Sequence, residues 1–318
     1  MASGGALALG GCAGVADGAS GPDASAFAAN PTLLVATTRK PVNGARANPW
    51  YGPERGSTLS IAKARFAPPA SGAFSFVSAG DWRLEAVEPV AGRVSNLLAE
   101  ATSGPDLLIY IHGYRNTFEG SVLDAARLSD GIKFRGETMV FSWPSKAGFL
   151  DYGYDRESAV WSRDAFERVL ATAMANQNIG RIHIVAHSMG TLLALESLRQ
   201  VYGRYGDAGA DRIGAVIFAS PDIDVDVFAS SVARLGPVAQ KMTVIIASND
   251  RALALAGRVA GGVARVGAAD REALAQLGLR VIDASALGFG IVNHDLFLSN
   301  AEVLRVIRRS VDNGGIAG

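Results

Sequence analysis

The chain has 318 residues, 49% of them hydrophobic and 19% charged, with Lys+Arg and Asp+Glu equal at 30 each. This composition fills a core and excludes global disorder, and the balanced charge without a long basic run argues against a phosphate-binding stripe for nucleic acid or a polybasic membrane patch. Cys12 is the single cysteine, so an intramolecular disulfide is excluded and thiol metal sites have almost no basis; no apolar stretch approaches the roughly 20 residues needed to span a bilayer.

Residues 1–30 read as a leader and flexible tether, and residues 31–318 as one domain. Leu7-Ala8-Leu9-Gly10-Gly11-Cys12 resembles the lipobox of bacterial lipoproteins, in which the cysteine is acylated, and the Gly/Ala/Ser/Asp-rich run from Ala13 to Pro31 suits a tether. The apolar run before Cys12 is short and no Lys or Arg precedes it, unlike an export signal. Two locations follow: the cell envelope, with membrane attachment through acylated Cys12, or the cytoplasm.

Thr32–Thr38 and Thr58–Phe66 read as the first strands, separated by a long loop marked by Pro41, Asn43, Gly44, Asn48, Pro49, Gly52 and Pro53. Phe74–Val77 and Leu84–Val90 are weaker strand candidates. From Asp106 strand and helix alternate regularly: strand Leu107–Ile111, helix Ser121–Phe134, strand Thr138–Phe141, helix Arg156–Asn176, strand Ile182–Ala186. Then come a helix after Ser188, strand Ala215–Phe218, helix Val225–Leu235, strand Met242–Ala247 and a helical turn after Asp250. Arg258–Ala269 reads as loop or weak helix, Arg280–Asp283 as a short last strand and Asn300–Val311 as a closing helix. This alternation predicts an α/β fold, a mostly parallel sheet with helices on both faces.

Arg181-Ile182-His183-Ile184-Val185-Ala186-His187-Ser188-Met189-Gly190 carries the chemistry. A β-branched strand ends at a serine boxed by small residues and a helical pattern starts at once, the strand–turn–helix context of a nucleophile elbow, with Ala186 in place of the first glycine of G-x-S-x-G. A serine hydroxyl needs a base at neutral pH. Of the four histidines, His183 lies inside the strand, His187 is turned away by the elbow and His112 follows the Leu107–Ile111 strand. His294 remains, after the serine, as the order serine–acid–histidine requires. The acid belongs at a strand tip between them, where it orients the imidazole. Asp250 is favoured because the acid usually follows the later strand. Asp222 is the reserve, with helix capping as its other role, and Asp283 is a distant third.

Donors for an oxyanion are expected from the backbone N–H of Met189, at a helix N-terminus, and of Tyr114 or Gly113 in His112-Gly113-Tyr114, where glycine admits close approach. The His112 side chain is expected to brace that loop and, with Trp143, to contribute to the substrate site. Trp143–Tyr154 reads as pocket lining, a small lid or ordinary loop packing. Asp155 and Glu157 are explained by charge placement at a helix start. Without a long insertion after Ala215–Phe218 no large cap domain is expected, which leaves the site fairly open. The scattered histidines and lone cysteine give no metal ligand set, and no phosphate loop follows a strand.

With these residues placed, the chain from Thr32 to Leu304 resembles a bacterial family of α/β hydrolases known only as esterase/lipase superfamily enzymes of unknown function. The resemblance is carried by Thr37-Thr38-Arg39-Lys40-Pro41, Ile111-His112-Gly113-Tyr114, Phe141-Ser142-Trp143-Pro144, Tyr154-Asp155-Arg156-Glu157-Ser158 and Ala186-His187-Ser188-Met189-Gly190, then by Ala219-Ser220-Pro221-Asp222-Ile223-Asp224 and Ser248-Asn249-Asp250-Arg251-Ala252-Leu253. It implies an α/β-hydrolase fold with the triad Ser188, Asp250 and His294. The expected function is hydrolysis of a small-molecule or lipid-like carboxylic ester without a cofactor. The alternative is a tethered envelope protein that keeps the fold for binding or scaffolding.

Overall fold

The computed structural model describes residues 25–42, 49–68, 82–99, 106–148, 150–247, 253, 256–257, 262–269, 271–286 and 296–315. The strands are β1 (Thr32–Pro41), β2 (Tyr51–Ala67), β3 (Arg83–Pro89), β4 (Leu107–Ile111), β5 (Glu137–Ser142), β6 (Ile182–His187), β7 (Ile213–Ala219), β8 (Met242–Ile246) and β9 (Arg280–Asp283). They form one nine-stranded sheet in the order β3-β2-β1-β5-β4-β6-β7-β8-β9. β1 and all strands from β5 to β9 in that order run parallel, while β2 and β3 add an antiparallel margin.

Period-two alternation divides the core between two faces. Ile109 and Ile111 of β4 pack with Phe166 and Val169 of the Arg163–Ala175 helix and Leu193 of the Gly190–Arg212 helix. Leu108 and Tyr110 face the other way, onto Val122 and Ala125 of the Phe118–Gly131 helix and Val303 and Ile307 of the Ala301–Asp312 helix. A strand buried on both faces reads as a near-continuous apolar run, which is why Leu107–Ile111 carries no charged residue and Tyr110 supplies its one side-chain polar group.

Four elements depart from the expected pattern. β2 is 17 residues long and begins at Tyr51, inside the stretch that Gly and Pro mark as loop. It pairs with β1 as far as Pro41↔Tyr51 through two register shifts, irregularities that accommodate Pro53 and Gly56; a side chain on Gly56 would meet the Arg39 carbonyl at 2.8 Å. Residues 25–30, expected in the tether, hold a short helix, Ala26–Ala29, capped by the Ser25 hydroxyl. Phe27 buries there between Phe66 and Trp82, at ring distances of 5.2 and 4.7 Å, so burial of one aromatic ring draws the segment onto the core. The single helix expected over Arg156–Asn176 is two, Tyr152–Trp161 and Arg163–Ala175. At the break the Ser162 hydroxyl bonds back to the Ser158 carbonyl at 2.8 Å and contacts Thr38 Oγ1, also at 2.8 Å, a side-chain competition that bends helices. In the Arg258–Ala269 segment, Arg265 bridges to Asp224 and Val266–Ala268 forms a 3₁₀ turn. The expected strand Phe74–Val77 and residue Cys12 lie outside the described residues. Among the described residues no helix is long and apolar enough to cross a membrane.

Candidate active site

Sheet register assembles the site. Ile111 stands beside Phe141 on one side and Ala186 on the other, and His187 beside Ala219. The chains leaving β4, β5, β6 and β7 therefore emerge together at one edge. The helix after β4 packs on one face and the helix after β6 on the other, which opens the crevice where open α/β sheets bind ligands.

Ser188 sits at that crevice with φ 49°, a left-handed conformation that costs a non-glycine residue about 1–3 kcal/mol and persists only when its surroundings fix it. Its N–H donates to the Ala219 carbonyl at 2.9 Å, and its own carbonyl accepts from Thr191 N–H at 3.0 Å and Asp222 N–H at 3.3 Å. Gly190 belongs to the same constraint: any Cβ there would collide with the His112 carbonyl oxygen. A Cβ on Gly113 would lie 2.8 Å from both Ser188 Cβ and His187 Nδ1. The backbone after β4 is thus pressed against the serine, and both glycines are required by close approach. Met189 is buried as the residue preceding the Gly190–Arg212 helix.

Beneath that loop His112 and Trp143 are interlocked. The rings stack at 4.6 Å and 12°, and the indole N–H donates to the His112 carbonyl at 2.8 Å. With the proton assigned to Nδ1, His112 donates to the Gly113 carbonyl at 2.8 Å and Nε2 accepts from the Trp143 backbone N–H at 3.1 Å. Both side chains are fully buried. They brace the loop after β4, the role expected of the His112 side chain. Burial first, then the nearby Arg39 charge, lowers the His112 pKa well below 6.5. The histidine is therefore neutral in the fold, and a depressed pKa gives stability that is complete above the unfolded value, erodes below it and is lost as pH falls through the folded value. Unfolding free energy should decline as pH drops below about 6.5, and His112→Asn should flatten that slope. Urea titrations across pH 4–8 check this; an unchanged slope would refute it.

Arg39 and Asp155 hold the scaffold from behind. Arg39 is a fully buried arginine whose guanidinium donates to Ser142 Oγ at 2.9 Å, the Ser145 carbonyl at 3.0 Å, the Asn116 carbonyl at 2.7 Å and, weakly, the Gly52 carbonyl at 3.5 Å. Burial lowers its pKa to about 10, against the pull of Asp155 and Glu119. Asp155 accepts from the Ser145 hydroxyl, from Lys146 N–H at 2.8 Å and from Arg115 N–H at 3.4 Å, while burial pushes its carboxyl upward in pKa. Asp155 does stand in the first turn of the Tyr152–Trp161 helix, as expected, and in addition it ties the loop after β4 to the loop after β5. Sequence reading missed both roles; the signal was a charged residue in each of two family-like stretches.

Of the acid candidates, Asp222 spends its carboxylate on a buried ion pair with Arg265, 3.1 Å from Nε, and on the Tyr152 hydroxyl at 2.9 Å. The helix cap considered for it belongs to Asp224, which accepts from Asp226 and Val227 N–H. Asp283 accepts from the Ser285 N–H and hydroxyl, bonds that lower its pKa. Asp250 and His294 lie outside the described residues. Of the other histidines, His183 is buried inside β6, accepting Ala215 N–H at 3.0 Å, and His187 packs on Phe297 with the rings tilted at 36° and 4.6 Å apart. Ser188 itself is only 2% exposed, so the absence of a cap insertion does not leave the serine open. Leu150, in the loop after β5, is 92% exposed, while the base of that loop is fixed by Arg39, Asp155 and the Tyr114 hydroxyl, which donates to the Gly148 carbonyl at 3.0 Å. Among the described residues no cluster of His, Cys, Asp or Glu could hold a metal ion.

Residues 93–310 match the family model described as "Alpha/beta hydrolase of unknown function (DUF900)". The chain belongs to that family. Its sheet order and elbow agree with the α/β-hydrolase fold. An uncharacterized protein of Nostoc sp., alr1448, is 25% identical over 140 residues, 36% of each chain, so the likeness spans about a third of that relative's length. Among solved structures, a CIB-like hydrolase from Thermoplasma acidophilum is 19% identical with a TM-score of 0.37, covering 66% of this chain and 86% of that one. A cutinase-like protein from Cryptococcus sp. is 18% identical with a TM-score of 0.38 (68% and 99%), and Est1E from Butyrivibrio proteoclasticus 14% with 0.40 (66% and 90%).

Proposed function

We propose that this α/β hydrolase cleaves carboxylic esters, with Ser188 as nucleophile, His294 as base and Asp250 as the acid that orients it. The observation that carries this is Ser188 itself: a buried serine at positive φ, pinned at a strand–helix turn with a glycine backbone against its Cβ. Such strain belongs at functional sites.

His294 removes the Ser188 proton as Oγ attacks the substrate carbonyl. The N–H groups of Met189 and of Tyr114 or Gly113 receive the developing oxyanion, and His294 passes its proton to the leaving alcohol; water then repeats the cycle on the acyl-enzyme. Occupation of Asp222 by Arg265 and Tyr152 supports Asp250 by elimination. His294 is supported by chain order, as the histidine that follows the serine in the sequence serine–acid–histidine.

Incubation with a fluorophosphonate followed by peptide mass spectrometry tests the nucleophile. The expected result is one adduct, on the peptide bearing Ser188. A folded protein that forms none would sink the proposal.

A further inference from the structure

The two loops that flank Ser188 are bridged by a pair of tyrosines. On one side Gly113 lies against Ser188 Cβ, and the next residue is Tyr114. On the other, Asp222 N–H donates to the Ser188 carbonyl, and its carboxylate accepts from the hydroxyl of Tyr152, the first residue of the Tyr152–Trp161 helix. The two rings meet edge to face at 5.5 Å and 73°. Both residues are half-buried, packed on the edge of the core with part of each side chain left accessible.

Tyr152 is held unusually firmly. Its hydroxyl also accepts from Arg265 Nη2 at 3.3 Å, and Arg265 and Asp222 form an ion pair with side chains only 2% and 3% exposed. Burial and the Asp222 charge raise the phenol pKa, so at neutral pH the hydroxyl remains a donor. Desolvating two charges is expensive and such a pair is weak as a source of stability. What it supplies here is a fixed direction for one aromatic ring. The backbone of Arg265 is tied to the same loop, Val266 N–H donating to Ile223 at 2.9 Å and Gly267 N–H to Pro221 at 2.9 Å.

Resting on the ester-hydrolase proposal, we infer that Tyr114 and Tyr152 form a specificity-determining wall that shortens the acyl pocket beside Ser188, with Asp222 and Arg265 as the positioning residues that lock Tyr152. The hydrolase then selects esters of short acids, and acyl chains long enough to meet the ring pair are turned over poorly.

The experiment is kcat/KM for p-nitrophenyl acetate, butyrate and octanoate with wild type, Tyr152→Ala, Tyr152→Leu and Tyr152→Phe. Wild type should favour the short esters. Tyr152→Ala should raise the octanoate-to-acetate ratio by at least about tenfold, since a few methylenes in a pocket carry discrimination of that size. Tyr152→Leu should raise it less, and Tyr152→Phe, which keeps the ring but loses both hydroxyl bonds, by a few-fold. A ratio within one sample is insensitive to the fraction folded, so a purely structural role for Tyr152 would not move it; if Tyr152→Ala fails to fold, Tyr152→Leu carries the test. A wild type that prefers octanoate, or a ratio unchanged on truncation, overturns the wall while leaving the ester-hydrolase proposal intact. A wild type that neither hydrolyses these esters nor reacts with the fluorophosphonate overturns both.

Discussion

Ser188→Ala and His294→Ala should each lower kcat on a short aryl ester by about 10⁵- to 10⁶-fold, and Asp250→Asn by about 10⁴-fold. The double variant of serine and histidine should be scarcely worse than either single one, because groups that act as a unit lose their whole contribution when one is removed. Asp222→Asn is the informative contrast. Its carboxylate is engaged by Arg265 and Tyr152, so the change should act on stability and on acyl selectivity, with a loss in kcat at least tenfold smaller than that of Asp250→Asn. Single-turnover kinetics with a chromogenic ester separates acylation from release. If Asp222→Asn lost activity as deeply as Asp250→Asn while remaining folded, the acid assignment would pass to Asp222.

Arg39→Met should be the most destabilising single change away from the nucleophile, at about 3–5 kcal/mol, because it strips a buried carboxylate of its counter-charge and leaves acceptors unmet. The guanidinium joins β1 to the loop after β4, through Asn116, and to the segment after β5, through Ser142 and Ser145; Asp155 closes the same circuit at Arg115 and Ser145. The loop bearing Gly113 and Tyr114 therefore loses its anchor, and turnover should fall together with stability. Arg39→Met/Asp155→Asn should recover part of the lost stability, since the stranded charge goes with it. Equilibrium urea unfolding followed by tryptophan fluorescence reads this directly. A single variant within about 1 kcal/mol of wild type, the range of an exposed pair, would show that the circuit is dispensable.

How much was legible in the chain depended on how local the cause was. The elbow was legible because its requirements fall within ten consecutive residues: an apolar strand, a serine between small neighbours and an immediate helix. The parallel core followed from the same alternation, and so did the pairing of His112-Gly113 with the elbow. Arg39, Asp155 and Arg265 were not legible as structural residues. Apart from the weak bond of Arg39 to Gly52, the partners of Arg39 and Arg265 lie more than forty positions away, and those of Asp155 are divided between two loops. No periodicity encodes that. Arg265 stood in a Gly/Ala-rich run with little pattern of its own; a lone arginine among small and apolar residues was the available sign of a buried partner. The extension of β2 was hidden because Gly52 and Pro53 ordinarily break strands, whereas here they fall within irregular pairing next to Arg39.

The margins of the sheet bear on how the folded chain meets copies of itself. β3 exposes Arg83, Glu85 and Glu88 along its length and ends at Pro89, and at the opposite edge β9 is four residues long and ends at the exposed Asp283. An incoming strand would have to lie against charge, a missing amide donor or a ladder too short to hold it. The long apolar strands that seat the nucleophile are thereby kept in the interior, and among the described residues both margins of the sheet resist edge-to-edge pairing between copies.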